Sequence, residues 1–455
     1  MASRFARQPP ATQSDFPRRG PDAKSPKAFR SIDDRPTGTF LGWWIVAVAV
    51  VGQCLSVGPL LSYTFGIFAK LLASQFGANR GSISLAVTCL NLMVAASSVG
   101  AGRLVDRFGG RRVIALSTVA LSGCLLALST VTGPLWHLFA LYALAGVVGA
   151  GSTPVAYARV VSNWFDRNRG LALGVTSTGI GLGVAVMPSI AEFLIQRMGW
   201  RQAYLVLGGV VLAFGAPIVA IFLRNAPEDV GLSADGIREN RQLTTAPGPA
   251  TGLGLAEALR TVVFWQLCAI FFLVSACANG TIAHLAPMLS DRGISGRNAA
   301  SAISFFGAAT IVGRLGNGYL VDRLPAQRVA AMLFFGAALG LPMLLVDGGR
   351  GWFFAAAALV GLAIGAESDV MPFLVSRYFG MRSMGALFGC IFAAYTLGAA
   401  VGAYLLGAGF DATGSYRAPL EFATAAMLLA AVATLALRSY ENRHRYQTQE
   451  TQLNS

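Results

Sequence analysis

Gly102-Arg103-Leu104-Val105-Asp106-Arg107-Phe108-Gly109-Gly110-Arg111-Arg112 stands between two long apolar runs, and Gly318-Tyr319-Leu320-Val321-Asp322-Arg323 repeats its first six places as G-x-L-V-D-R. A second pair recurs at almost the same offset: Trp164-Phe165, then Arg169-Gly170 and Gly174, is echoed by Tyr378-Phe379, then Arg382, Gly385 and Gly389. Gly149 and Pro154 likewise answer to Gly365 and Pro372. Self-similarity over so long a period in an apolar chain marks a protein built from two repeated halves.

Composition places those halves in a membrane. Of the 455 residues 55% are hydrophobic and 12% charged, and the mean hydropathy is +0.59, too apolar for a soluble protein with a single core. The net charge of +14 could suggest nucleic acid, but the basic residues are scattered between apolar runs instead of forming a stripe, so no nucleic-acid partner is expected. They gather in the loops and tails of one face, and the positive-inside rule therefore puts both termini in the cytoplasm. The six cysteines, Cys54, Cys89, Cys124, Cys268, Cys277 and Cys390, lie in apolar runs without metal-ligand spacing and read as packing residues; no metal site is expected.

Twelve apolar runs are long enough to span. They lie at about 41–69, 82–103, 112–131, 135–160, 170–194 and 200–223, then at about 262–289, 298–321, 328–346, 351–377, 384–407 and 416–437. The expected organisation is a disordered cytoplasmic tail at 1–39, rich in proline; a six-helix bundle at 40–223; a polar cytoplasmic linker at 224–261; a second six-helix bundle at 262–438; and a cytoplasmic tail at 439–455. Arg18-Arg19 is not read as a twin-arginine signal, because the next apolar run begins some way downstream and no small-residue cleavage site follows it. The seven tryptophans fall at span ends and read as interface anchors. Gly58-Pro59 in the first span and Gly280 with Pro287 in the seventh are expected to loosen their helices. Gly179-Ile180-Gly181-Leu182-Gly183 has no strand before it, so it reads as close helix packing and not as a phosphate loop.

An ionisable residue at mid-membrane costs about 2.5–3.5 kcal/mol on insertion scales, so each one within a span is a candidate for function. Arg314 lies eight residues before Asp322, roughly 12 Å deep at 1.5 Å per residue, and its planar fork suits an organic anion. The alternative is a structural ion pair with a neighbouring helix. Glu367 and Asp369 lie midway along the tenth span, about 200° apart around the helix, so one is expected to face a cavity and the other a neighbouring helix. A carboxylate in dry surroundings can take up and release a proton near neutral pH, which makes these two the candidate proton-coupling groups, against a purely structural pairing. His284, in the outer part of the seventh span, could bind substrate or carry a proton, or could be a hydrogen-bonded histidine at a helix end.

The G-x-L-x-D-R-x-G-x-R-R stretch resembles the loop motif between helices two and three of the major facilitator superfamily, and the resemblance runs from about Phe40 to Arg438. It implies an all-α membrane protein of twelve transmembrane helices in two pseudo-symmetric six-helix bundles, working as a monomer by rocking the halves. It also implies that Asp106, Arg107, Arg111, Arg112, Asp322 and Arg323 form interhelical charge pairs that gate the inward-open to outward-open switch. Gly42-Trp43-Trp44, Phe65-Gly66-Ile67-Phe68, Arg314 and the stretch from Gly407 to Asp411 look like the monocarboxylate and oxalate/formate branch, in which an arginine of the eighth helix binds the carboxylate. This chain departs from that branch. Thr310 stands where the monocarboxylate carriers have an aspartate, Tyr63 where they have a lysine, and no lysine occurs between 384 and 407. Tyr63 thereby joins Arg314 and His284 as a candidate substrate-binding residue. One permanent cation favours a monoanion over a dianion. The Gly-Pro pair of drug exporters in the fifth helix is absent, since Ile180 follows Gly179.

The expected function is secondary active transport of a small organic acid, a monocarboxylate, by proton-coupled alternating access across a bacterial inner membrane. The proton gradient drives it, and no cofactor is expected. The alternatives are an exporter or carrier of neutral or zwitterionic solutes, or a non-transporting sensor of the same fold. An enzyme is not expected, because the spans show no metal pair, H-E-x-x-H or nucleophile-base arrangement.

Overall fold

The computed structural model describes residues 41–236, 252–291, 296–346 and 350–437. The expected tails at 1–39 and 439–455, and residues 237–251 of the expected linker, lie outside the described residues. The chain folds into long helices that follow the apolar runs: Leu41–Phe76, Ser82–Phe108, Gly110–Ser129, Trp136–Trp164, Arg169–Met198 and Trp200–Phe222, then Val262–Asp291, Gly296–Val321, Ala326–Met343, Arg350–Phe379, Met384–Thr413 and Arg417–Leu435. We number these one to twelve in chain order. Among the residues whose side chains are described, eleven of these helices are long and apolar enough to cross a membrane. The eighth, Gly296–Val321, is of similar length and carries Arg314 and Asn317.

Three helices are interrupted where proline or glycine disturbs the regular bonding pattern. The first widens to a π turn over Gly58–Ser62, with Pro59 at its start and the Tyr63 amide donating to the Gly58 carbonyl at 3.0 Å, as Gly58-Pro59 led us to expect. The fourth tightens over Ala150–Ser152 before restarting at Pro154, and the sixth widens over Val211–Gly215 just before Pro217. The seventh differs from expectation: it runs unbroken from Val262 to Asp291, through both Gly280 and Pro287. Gly280 serves instead to let the backbone of Gly402 come close, since a Cβ there would stand 2.7 Å from the Gly402 carbonyl carbon. Trp44, Trp136 and Trp265 are exposed, which suits interface anchors, but Trp164 is fully buried. Its indole donates to the Arg224 carbonyl at 3.1 Å, so this ring ties the end of the fourth helix to the start of the linker and cannot reach a headgroup layer.

The two repeated motifs explain how the bundles meet. Gly102 on the second helix faces Gly385 on the eleventh so closely that a Cβ on either would lie within 2.6 Å of the other's carbonyl oxygen, and Gly318 and Gly170 make the matching contact between the eighth and fifth helices. One turn on, each motif aspartate caps the first turn of the helix opposite. Asp106 accepts from the amides of Gly385 and Ala386, both at 2.9 Å, and Asp322 from those of Gly170 and Leu171 at 2.7 and 2.9 Å. An anion at a helix N-terminus is stabilised by the unpaired amides and by the helix dipole. Burial pushes the Asp322 carboxyl above the usual carboxylate range, while those amides and the nearby Arg377 and Arg323 pull it back.

The charge pairs expected within the motif form with other partners. Asp106 bridges to Arg159 of the fourth helix at 3.2 Å. Arg111 donates to the Ala220 carbonyl at 2.7 Å, Arg107 lies over the Phe108 ring, Arg112 is exposed, and Arg323 lies over the Tyr319 ring. The reason is geometric: Gly109, at φ 84°, turns the chain sharply between the second and third helices and carries the following arginines away from Asp106. A further bridge joins Asp166 to Arg377 at 3.1 Å across the same end of the bundles, and Arg169 donates to the Ser376 hydroxyl at 3.1 Å.

Each clamp combines two charge-assisted bonds, worth about 1.5–3 kcal/mol apiece. Replacing both Asp106 and Asp322 by alanine should therefore part the bundles at this end. Ser98 is fully buried about two turns deeper than Asp106, against Gly389. A Ser98→Cys reporter should be inert to a water-soluble maleimide in the parent chain and react at least about tenfold faster in the double variant. Equal rates would show that the aspartates do not hold this end shut.

Candidate functional site in the membrane

Arg314 reaches its depth because small residues stand beside its backbone. A Cβ at Gly174 would meet the Arg314 carbonyl oxygen at 2.6 Å, and one at Gly365 would meet its nitrogen at 2.9 Å, so the fifth and tenth helices close directly on the eighth at this point. Arg314 is 9% exposed, and its guanidinium donates through one terminal nitrogen to the backbone carbonyl of Ser177. Among the described residues its Nε has no hydrogen-bond partner, and no carboxylate lies within 4.0 Å of it. A permanent cation with donors to spare is thus held between the two bundles, with its charge balanced only at longer range.

The two carboxylates of the tenth helix diverge as the 200° rotation requires. Glu367 is fully buried and points toward the seventh and eleventh helices, where its Oε1 accepts from the Tyr395 hydroxyl at 2.8 Å and the Asn279 amide at 3.4 Å. Asn279 also donates to Tyr395 at 3.3 Å and to Ser275 at 3.2 Å, so one amide ties three groups together. Among the described residues Oε2 of Glu367 has no hydrogen-bond partner. Asp369, 1% exposed, points instead toward the fifth helix, beside Ser177, and accepts from the Ser368 hydroxyl at 3.2 Å. Both carboxylates lie within electrostatic reach of Arg314.

Tyr63 comes to this place from the other bundle. It follows the π turn of the first helix and lies within electrostatic reach of Arg314, Glu367 and Tyr395, yet 54% of it is exposed. Tyr63 thus presents an open face beside those partners. Arg314, Glu367, Asp369 and Tyr63 are therefore brought together, whereas His284 is not. Its Nε2 is bonded to the Ala403 carbonyl at 2.9 Å and its Nδ1 faces the Tyr416 hydroxyl at 3.4 Å, which ties the outer part of the seventh helix to the eleventh and twelfth. The motif residues Asp106 and Asp322 stand apart from this group, at the clamped end.

Tyr395, Asn279 and Ser177 were not singled out from sequence. Asn279 could have been, because an amide inside the apolar run of the seventh span has the same need for a partner as a charge does. Nothing marks Ser177, because its contribution is a main-chain carbonyl. All six cysteines are free, and among the described residues no cluster of metal-ligating side chains occurs.

Comparison with known proteins agrees with this architecture. The chain is 27% identical over 373 residues to the uncharacterized MFS-type transporter YhjX of Escherichia coli, covering 78% of this chain and 85% of that protein. It is 28% identical over 396 residues to monocarboxylate transporter 11 of Mus musculus, covering 83% of each. The MFS transporter asaE of Aspergillus flavus is 24% identical over 419 residues, covering 90% of this chain and 89% of that one. The profile of the Major Facilitator Superfamily matches residues 38–403, and with twelve helices meeting through two copies of one motif, this chain belongs to that superfamily of membrane transporters.

Proposed function

We propose that the protein carries a small monocarboxylate across a bacterial inner membrane, coupled to protons, by alternating access. The observation that carries this reading is Arg314: a buried guanidinium at the junction of the bundles, with an unpartnered nitrogen and no close carboxylate among the described residues. A substrate carboxylate would take its fork, and similarity to monocarboxylate transporters supports that class of anion. Glu367 then serves as the proton-coupling group, since it can alternate between charged and neutral forms while Tyr395 and Asn279 hold it in place. Asp369 serves as a long-range counter-ion that steadies Arg314 when substrate is absent.

The clamped end is the cytoplasmic one in this reading, because the basic loops lie there and the positive-inside rule assigns them to the cytoplasm. The conformation described is then closed toward the cytoplasm. Release of substrate inward requires Asp106 and Asp322 to leave their helix ends, which would make them the gate, with Arg159 and Arg377 as its flanking cations.

Uptake of radiolabelled lactate, pyruvate, benzoate and oxalate into proteoliposomes, with and without an inward proton gradient, tests the reading. Arg314→Gln should raise the half-saturating concentration of a monocarboxylate at least about thirtyfold, the low end of the 2–5 kcal/mol lost when one partner of a buried charge pair is removed. Unchanged transport in that variant, or no uptake of any acid by the parent, would refute the anion-binding role. Glu367→Gln should keep substrate exchange while reducing gradient-driven accumulation by about tenfold or more. Asp369→Asn should keep the response to the gradient. If Glu367→Gln still concentrates substrate on an imposed proton gradient, the coupling role belongs elsewhere.

A further inference from the structure

Beside Arg314 and Glu367 aromatic rings come from both bundles. On the eleventh helix Phe388, Phe392 and Tyr395 form a continuous ladder: the Phe388 and Phe392 rings meet edge to face at 6.0 Å, and the Phe392 and Tyr395 rings stack at 5.8 Å with 20° between their planes. Phe392, on the second bundle, is half-buried and packs against an apolar cluster drawn from both bundles and another drawn from the first bundle, so it stands at their junction. The hydroxyl of Tyr395 is committed to Glu367, which turns this ring into a fixed surface. Across from it, on the first helix, Tyr63 is 54% exposed while still within electrostatic reach of Tyr395 and Arg314.

We infer that the substrate is an aryl monocarboxylate, its carboxylate on Arg314 and its ring between Tyr63 and the Phe392-Tyr395 ladder. This rests on the monocarboxylate reading and narrows it. A short aliphatic acid such as acetate or lactate would satisfy the guanidinium and leave the face of Tyr63 as wetted apolar surface. An aromatic ring covers that face and adds offset-stacked or edge-on contacts, whose geometry the existing ladder already presents. The anchor is equally specific in what it rejects: a second carboxylate on the ring would be left among Glu367 and the aromatic rings without a cation.

Counterflow in liposomes holding the purified full-length chain provides the test, run in parallel with labelled benzoate and labelled lactate and corrected for protein-free liposomes. Unlabelled benzoate, phenylacetate, cyclohexanecarboxylate, acetate, lactate and terephthalate are the competitors. Benzoate and phenylacetate should compete at concentrations at least about tenfold lower than cyclohexanecarboxylate, which matches benzoate in size and lacks the π-face. Terephthalate should compete no better than acetate. Tyr63→Leu should bring the benzoate-to-cyclohexanecarboxylate ratio close to unity, and Tyr63→Phe should preserve the ratio. Counterflow that depends on Arg314 but prefers lactate or cyclohexanecarboxylate to benzoate would overturn the aryl assignment and leave the monocarboxylate reading standing. A ratio unchanged in Tyr63→Leu would also overturn it. Absence of counterflow with either label would overturn both.

Discussion

A guanidinium cannot shed its charge to suit a dry environment, so the protein around Arg314 has to be arranged for it. The fifth helix turns a carbonyl toward it, the tenth supplies two carboxylates on diverging faces, and glycines at 174 and 365 let all three backbones close on one spot. The pairing is deliberately incomplete. Had either carboxylate formed a tight bidentate bridge, the arginine would be a structural pillar, costly to disturb. Held at longer range, the same charges keep the cation in the membrane while leaving its Nε without a partner among the described residues, which is what the proposed anion-binding role requires.

The fold was legible wherever it depends on periodic burial. Apolar runs of the right length, the polar break after the sixth, and two copies of G-x-L-V-D-R were enough to identify a twelve-helix transporter family. Within the site, the charged members Arg314, Glu367 and Asp369 could be picked out because an ionisable residue in hydrocarbon needs a reason. Their partners were less visible. The acceptors and donors that matter most are main-chain groups, the Ser177 carbonyl and the amides of Gly385, Ala386, Gly170 and Leu171, and a main-chain group has no letter of its own.

Charge pairing failed as a guide at the motif itself for a related reason. Asp106 and the arginines at 107, 111 and 112 are close in sequence, but the turn at Gly109 aims them apart, and the cation that reaches Asp106 is Arg159, from another helix. Trp164 makes the same point for an aromatic residue: its position at a span end suggested an anchor in the headgroup layer, whereas its bond to the Arg224 carbonyl puts it under the linker. The linker is tied on its other side too. Asp235 accepts from the amides of Asp166 and Arg167, and the Leu253 amide donates to the Phe379 carbonyl at 2.8 Å, so the connection between the halves touches both loops that flank the clamps.

Each bundle contributes one aspartate and one helix end to the clamps, and each receives the same two things from its partner. That is the exchange expected across a two-fold axis, where a single surface is complementary to itself. Two copies of one ancestral bundle could therefore have locked together with no change in either, and the fused chain keeps the bookkeeping of a homodimer at this end. The specialised groups, Arg314, Glu367 and Tyr63, break the symmetry deeper in the membrane. In the proposed cycle the duplicated surface would carry the motion, and the divergent interior was free to change without disturbing it.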